Sequence, residues 1–286
     1  MIRLAVFGAG RIGAVHAMNA AAIPGVRVAH LVDPRADCDA LAARLGARRS
    51  DAAQVLANDL DGIVICSSTA GHADLLLAAA KRGLAVFCEK PVLLDWPTVA
   101  RVTEAVEASG IRCMMGFQRR YDPIFRAVRD RIASGAAGRL EQLVMHTRDP
   151  APPPVDYVRR SGGMLRDQAI HDFDQGRFLC GEEIAAVHAV GNCQIDEGIG
   201  AAGDIDMLAV TMPTRSGRMV AMTNSRRSPL GYDQRLEAYY AGEVLFIDNR
   251  PQTDIRDGYE AQRLAEAALA SLAAGRTVDL RDGWQP

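Results

Sequence analysis

Six residues, Gly8-Ala9-Gly10-Arg11-Ile12-Gly13, limit what this chain can fold into more than any other stretch, because of what surrounds them. They follow an apolar run, Ile2 to Phe7, and precede an alanine-rich segment that reaches Ala22. Strand, tight turn and helix is the order this predicts. Gly8 permits the turn, Gly10 lets backbone amides approach a pyrophosphate, and Gly13 lets the helix pack closely on the strand. Arg11 and Ile12 complete the turn. Asp33, 20 residues beyond Gly13, ends the next apolar run, VRVAHLVD, where a carboxylate accepts hydrogen bonds from an adenosine ribose diol. The same glycines would also serve a flavodoxin-like sheet, but strand, spacing and acidic residue together favour dinucleotide binding. Asp33 repels a 2′-phosphate and so favours NAD; Arg35 softens that repulsion and keeps NADP open.

The strand-helix alternation recurs through GIVICSS (62–68), LAVFCEKP (84–91) and IRCMMGF (111–117), with alanine-rich segments between. A parallel sheet covered on both faces is the expected result. Beyond about Arg119 strands follow one another: LEQLVMHTRD, IAAVHAVGNCQI, DIDMLAVTMPT, GRMVAMTNSR, RLEAYYAG and EVLFID. Helices are expected near 122–134, 164–179 and 258–274. The fold class is therefore α/β: an N-terminal Rossmann domain over 1–118, then an α/β domain over 119–286 with an open, mainly antiparallel sheet.

Hydrophobic residues make up 49% of the 286, enough to bury a large core and exclude disorder. The 33 basic and 35 acidic residues leave a net charge of −2, so no global field draws the protein to nucleic acid or an anionic membrane. Its partner is expected to be small. No apolar run approaches the ~20 residues a spanning helix needs, and the chain opens on a strand rather than a charged leader. It reads as cytoplasmic. The six cysteines form no CxxC pair and are expected to be buried free thiols.

Glu89-Lys90-Pro91 closes a strand, so Lys90 projects from the carboxyl edge of the sheet, where ligands of open α/β folds sit. In Asp167-Gln168-Ala169-Ile170-His171-Asp172-Phe173-Asp174, helical spacing puts Asp167, His171 and Asp174 on one face and rotates Asp172 away. A carboxylate beside His171 favours the protonated ring and fixes its tautomer, as a general base acting on a hydroxyl requires. A solvated ion pair and a divalent metal site are the competing readings; a converging Lys90 opposes the metal. Ser161-Gly162-Gly163 would let a ligand approach the helix start. His16 and His72 read equally as packed groups or ligand contacts, and Arg119-Arg120 as hydroxyl binders or as a bridge between domains.

Together GAGRIG, Asp33, SSTAGH, CEKP, GFQRRYDP, HTRDPAPPP, SGGMLRDQAIHDFD and GYDQR resemble the Gfo/Idh/MocA oxidoreductases, and within them the inositol dehydrogenases, from residue 1 to about 250. The resemblance implies NAD-dependent oxidation of a secondary alcohol of a cyclitol, myo-inositol to its 2-keto form, another inositol isomer or an aldose being the alternatives. It implies a homo-oligomer, a tetramer, formed through the open sheet. It assigns Lys90, Asp167 and His171 as the catalytic trio. Arg119, Asp149, Gln168, Asp174 and Tyr232 match positions lining a polyol pocket, and Ser67, His72 and Glu89 fall on the cofactor side. Either Lys90 or His171 serves as base. One departure is that Asp248 to Arg256 is too short for a helix that family members place there. A dinucleotide-binding sensor without turnover is the reading from another class; retention of Lys90, Asp167 and His171 argues against it.

Overall fold

A computed structural model describes residues 1–34, 38–248 and 255–275. Arg35 and residues 249–254 of the short connection lie outside the described residues. The first half runs β1 (Ile2–Phe7), α1 (Arg11–Ala21), β2 (Val26–Val32), α2 (Asp39–Leu45), β3 (Arg48–Arg49), α3 (Ala52–Ala57), β4 (Gly62–Ile65), α4 (His72–Arg82), β5 (Ala85–Cys88), α5 (Trp96–Ser109) and β6 (Cys113–Met115). All six strands pair in parallel, in the order β3-β2-β1-β4-β5-β6. The winding reverses between β1 and β4, which leaves a crevice beyond their carboxyl ends. One apolar cluster joins Ala5, Phe7, Ile63, Ile65 and Val86 to Leu76 of α4 and Val102 of α5. A second joins Val6, Val28, Leu31 and Val64 to Ala17 of α1 and Ala42 of α2. Full burial of such a side chain contributes about 1.5–3 kcal/mol.

The second half runs α6 (Pro123–Ser134), β7 (Leu140–Arg148), α7 (Val155–Ser161), α8 (Ile170–Cys180), β8 (His188–Asn192), α9 (Glu197–Ala201), β9 (Met207–Pro213), β10 (Met219–Ser225), β11 (Asp233–Tyr240) and β12 (Val244–Asp248). These strands form a second sheet in the order β12-β11-β7-β10-β9-β8. Pairing is antiparallel for β7 with β11, β9 with β10 and β8 with β9, but β7 and β10 are parallel. Inward residues alternate along the strands: Leu143 and Met145, Val220 and Met222, Val210 and Met212 are all buried. Gly176 brings α8 close to this face, since a Cβ there would stand 3.2 Å from Val220 Cγ1 and 3.6 Å from Met145 Cε. Residues Ile247–Pro286 form a separate compact unit, in which α10 (Ile255–Ala274) is described.

Three local expectations need correction. The helix expected over 164–179 is broken: Met164–Gln168 is a π-helical turn, closed by Ala169 N–H donating to the Met164 carbonyl at 2.9 Å, and α8 begins only at Ile170. Short helices α7 and α9 add to the three helices expected beyond Arg119. Of the six free cysteines only Cys38, Cys88 and Cys180 are buried, while Cys113 is exposed.

Candidate active site

The glycine turn after β1 closes as a cradle. A side chain at Gly8 would overlap the Cys66 carbonyl, and one at Gly13 would overlap the carbonyl of Gly8. Gly8 also has a φ of 94°, a region that favours glycine. Asp33 Oδ2 accepts from Ala9 N–H at 2.6 Å, which ties the end of β2 to the turn. A cavity of about 690 Å³ opens there, lined by Gly8, Gly10, Asp33, Ser67 and Arg160 among others. Backbone amides at its centre and a carboxylate at the β2 end fit an NAD molecule. Arg11 is exposed. His72 is fully buried, with Nδ1 3.0 Å from the Pro91 carbonyl and Nε2 3.2 Å from that of Ser67. The ring braces two loops that border the crevice, so His72 is a packed group.

A second cavity of about 360 Å³ adjoins the first through shared Cys66, Ser67, Ser68 and Arg160, and adds Ile12, Glu89, Lys90, Tyr157 and Asp167. Glu89 N–H bonds the Ile65 carbonyl at 2.9 Å and continues the strand, so β5 delivers Lys90 to the carboxyl edge. Lys90 is preceded by Glu89, whose carboxylate meets His16 Nε2 at 2.7 Å. Lys90 Nζ donates to the Asp167 main-chain oxygen at 2.8 Å and to Oδ1 at 3.0 Å. Tyr157 Oη donates to the same Oδ1 at 3.0 Å; burial, then the Asp167 charge, pushes its phenol up to about 12. A lysine from one sheet and a carboxylate from the helical segment beside the other thus converge on one cleft.

His171 departs from expectation. Burial lowers its pKa to about 3, the charges of Lys90 and Arg119 adding to the effect, and Nδ1 is buried without a hydrogen-bond partner. Asp167 serves Lys90 instead of the imidazole, so no carboxylate favours the protonated ring. The cause is the π-helical turn, which changes the angular phase between Asp167 and α8. Asp172, expected to face away, is instead a buried node. It accepts from Arg119 Nη1 at 2.5 Å, from Thr147 Oγ1 at 2.7 Å and from Asn224 Nδ2 at 2.7 Å.

The polyol-side residues divide. Arg119 is buried and also donates to Gln175 at 2.9 Å, and Arg120 forks onto Asp174, so both arginines bridge the segment after β6 to α8. Asp174 is occupied by that fork; it stands three residues after His171 within α8, and it is Asp167, inside the π-helical turn, that leaves their common spacing. Gln168 Nε2 donates to the Ser225 carbonyl at 3.2 Å while its buried Oε1 lacks a partner. Burial pushes the Asp149 carboxyl upward, against the opposing effects of Gln168 and Arg226. Tyr232 is half exposed, with its hydroxyl 3.0 Å from the side-chain amide of Gln234. Gly163, read as room for a ligand, instead makes room for Asp204: a Cβ there would overlap the Asp204 carboxylate. Tyr157, Asp172, Asp204 and Arg226 were not anticipated; for Arg226 the signal was available, because it continues the inward phase of Val220, Met222 and Asn224. Among the described residues, no group of three or more His, Cys, Asp or Glu side chains is placed to hold a metal ion.

Residues 2–117 match the oxidoreductase family model with an NAD-binding Rossmann fold, and residues 125–242 match the GFO/IDH/MocA C-terminal domain. The inositol 2-dehydrogenase of Rhizobium meliloti is 42% identical over 265 residues, spanning 90% of this chain and 80% of that protein. The myo-inositol 2-dehydrogenase of Thermotoga maritima is 38% identical over 258 residues, spanning 89% and 77%. The crystal structure of a myo-inositol dehydrogenase from Corynebacterium glutamicum superposes with a TM-score of 0.84 at 36% identity, covering 98% of this chain and 99% of that one. The chain belongs to the Gfo/Idh/MocA family of NAD-binding oxidoreductases.

Proposed function

We propose that this oxidoreductase oxidises a secondary alcohol of a cyclitol to the ketone, with myo-inositol as substrate and 2-keto-inositol as product. The meeting of Lys90 Nζ and Asp167 Oδ1 at 3.0 Å, in a cavity that adjoins the dinucleotide cradle, carries this reading. Relatives named as inositol dehydrogenases support the substrate class. Lys90 donates a hydrogen bond to the reacting oxygen and stabilises the negative charge that develops on it. Asp167 holds the ammonium in place. His171, kept neutral by burial, is in the form that accepts the hydroxyl proton. A bound NAD would supply the acceptor for the hydride of the carbinol carbon. Asp149, Gln168, Arg119, Asp174 and Tyr232 are assigned to the polyol side: Gln168 Oε1 offers a buried acceptor to a hydroxyl, while Arg119 and Asp174 act through the networks that hold the cleft.

Residues 1–118 are assigned to the cofactor and 119–286 to substrate and assembly. The outer face of the second sheet exposes Met207, Met219 and Phe246, and β8 is exposed along its length, which supports association through that sheet into a tetramer. Among the described residues no helix is long and apolar enough to cross a membrane, and a cytoplasmic enzyme is the reading proposed. The test is absorbance of reduced nicotinamide with NAD or NADP across a panel of inositol isomers and aldoses. Turnover with myo-inositol and NAD is expected; flat traces across the panel despite tight NAD binding would return the sensor.

A further inference from the structure

At one edge of the second sheet, the inward faces of three strands turn from apolar to charged. Asp149 continues the phase of Leu143 and Met145 on β7, Arg226 that of Val220 and Met222 on β10, and Asp204 and Asp206 that of Leu208 and Val210 on β9. The register brings these ends together: Arg226 N–H donates to the Asp206 carbonyl at 2.9 Å and Asp149 N–H to the Ser225 carbonyl at 2.9 Å. Arg226 sits among them with only 2% of its surface exposed. Its Nη1 is 3.9 Å from both Asp149 Oδ2 and Asp167 Oδ2, and its Nη2 is 3.6 Å from Asp204 Oδ2. These separations exceed a direct hydrogen bond, and Nε and Nη2 have no partner, so the guanidinium acts on the three carboxylates through charge.

Asp167 Oδ1 is taken by Lys90 and Tyr157, and Oδ2 is the oxygen that faces Arg226. Asp204 accepts from Met164 N–H with both oxygens, at 3.1 and 3.0 Å, and Met164 opens the π-helical turn that carries Asp167. Arg226 therefore reaches Asp167 along two routes, one direct and one through Asp204 and the turn.

We propose that Arg226 is a positioning residue for the Lys90–Asp167 pair, fixing the carboxylate so that one oxygen is presented to the lysine. It touches neither substrate nor cofactor in this role. Its kinetic consequence rests on the dehydrogenase reading; its structural consequence does not.

The chain contains only two lysines, Lys81 and Lys90, so side-chain ammonium signals in a ¹⁵N spectrum are few, and a Lys81→Arg variant assigns them. In Arg226→Met the Lys90 ammonium should exchange its protons about tenfold faster or more, while NADH binding stays within about twofold, since the cradle is built elsewhere. With myo-inositol, kcat should fall about tenfold or more with the KM for NAD held. Arg226→Lys, which keeps the charge but loses the fork, should recover part of both, and it carries the test if Arg226→Met does not fold. Adding Asp204→Asn to Arg226→Met rebalances the buried charge but restores no hold on Asp167, so neither readout should recover. Unchanged Lys90 exchange in both Arg226 variants, or full recovery in the double variant, overturns the proposal. If the unsubstituted protein is inactive on every cyclitol yet Lys90 exchange responds to Arg226→Met, the substrate reading fails and the positioning role stands.

Discussion

Lys90 Nζ lies 3.0 Å from Asp167 Oδ1 across 77 residues of sequence, with a second contact of 2.8 Å to the Asp167 main-chain oxygen. Both side chains are largely buried, at 17% and 13% exposure, so neither is a solvated surface charge. The double contact orders the effects of substitution. Lys90→Met removes the donor proposed for the reacting oxygen and should lower kcat/KM by roughly 10²-fold or more. Asp167→Asn keeps the main-chain contact and should cost less. Steady-state absorbance compares the two, and fluorescence titration with NADH should show binding within about twofold of the unsubstituted protein. A parallel loss of binding in Lys90→Met would assign the lysine to the cofactor instead.

Asp33 is tied to the turn and lines the cavity there, and the ribose contact proposed for it can be tested. Asp33→Ala removes a charge-assisted bond to Ala9 N–H, of a type that contributes about 1.5–3 kcal/mol. The Kd for NAD should rise about tenfold or more, and discrimination against NADP should weaken. An unaltered ratio of NAD to NADP affinity would remove Asp33 from the ribose.

The Arg119–Asp172 pair is buried on both sides and bonded to Thr147, Gln175 and Asn224. Arg119→Met strands a carboxylate away from water and should cost about 3–5 kcal/mol of stability. Asp172→Asn added to it removes the stranded charge and should recover a large part. Urea unfolding of the single and double variants measures both. Independent, additive losses would mean that the pair does not couple.

His171 makes stability depend on pH with a definite sign. Its folded value of about 3 lies below the ordinary value near 6.5, so on acidification the unfolded chain binds this proton first. The contribution of the neutral ring is complete above about pH 6.5 and is lost progressively as pH falls towards 3. His171→Gln should flatten that part of the stability curve. The kcat/KM profile, which reports the free enzyme, should likewise show no acid limb near 6.5 arising from this ring. Such a limb, abolished in His171→Gln, would show the imidazole titrating normally.

The cradle was legible in the sequence because a glycine turn between a strand and a helix admits few conformations, and Lys90 because it ends a strand at the edge where parallel sheets expose ligand groups. The second sheet was legible from alternation, although the parallel pairing of β7 with β10 was not: it depends on the long excursion between them. What failed was the local geometry around Asp167. Helical spacing was extended from α8 back through a segment that is not α-helical, and this misplaced Asp167 relative to His171; Asp172 was dismissed because its partners Arg119, Thr147 and Asn224 come from other elements. Arg226 and Asp149 were in phase with the core of their strands, where a charge is expensive unless compensated. That compensation comes from other strands and cannot be seen along one of them.

The wide turn at Met164–Gln168 also has a consequence for how this region tolerates changes of length. Such a turn accommodates one residue more than an α-helix would, so a chain lacking a single amino acid there can close the gap as regular helix without disturbing α8. Asp167, which lies inside the turn, would then change its direction about the axis, while the non-helical Gly162 and Gly163 absorb the change before it reaches the rest of the chain. Asp167 would swing off its lysine while the fold persisted. One deletion in this stretch is thus expected to leave the fold and the cradle in place with the ammonium unanchored.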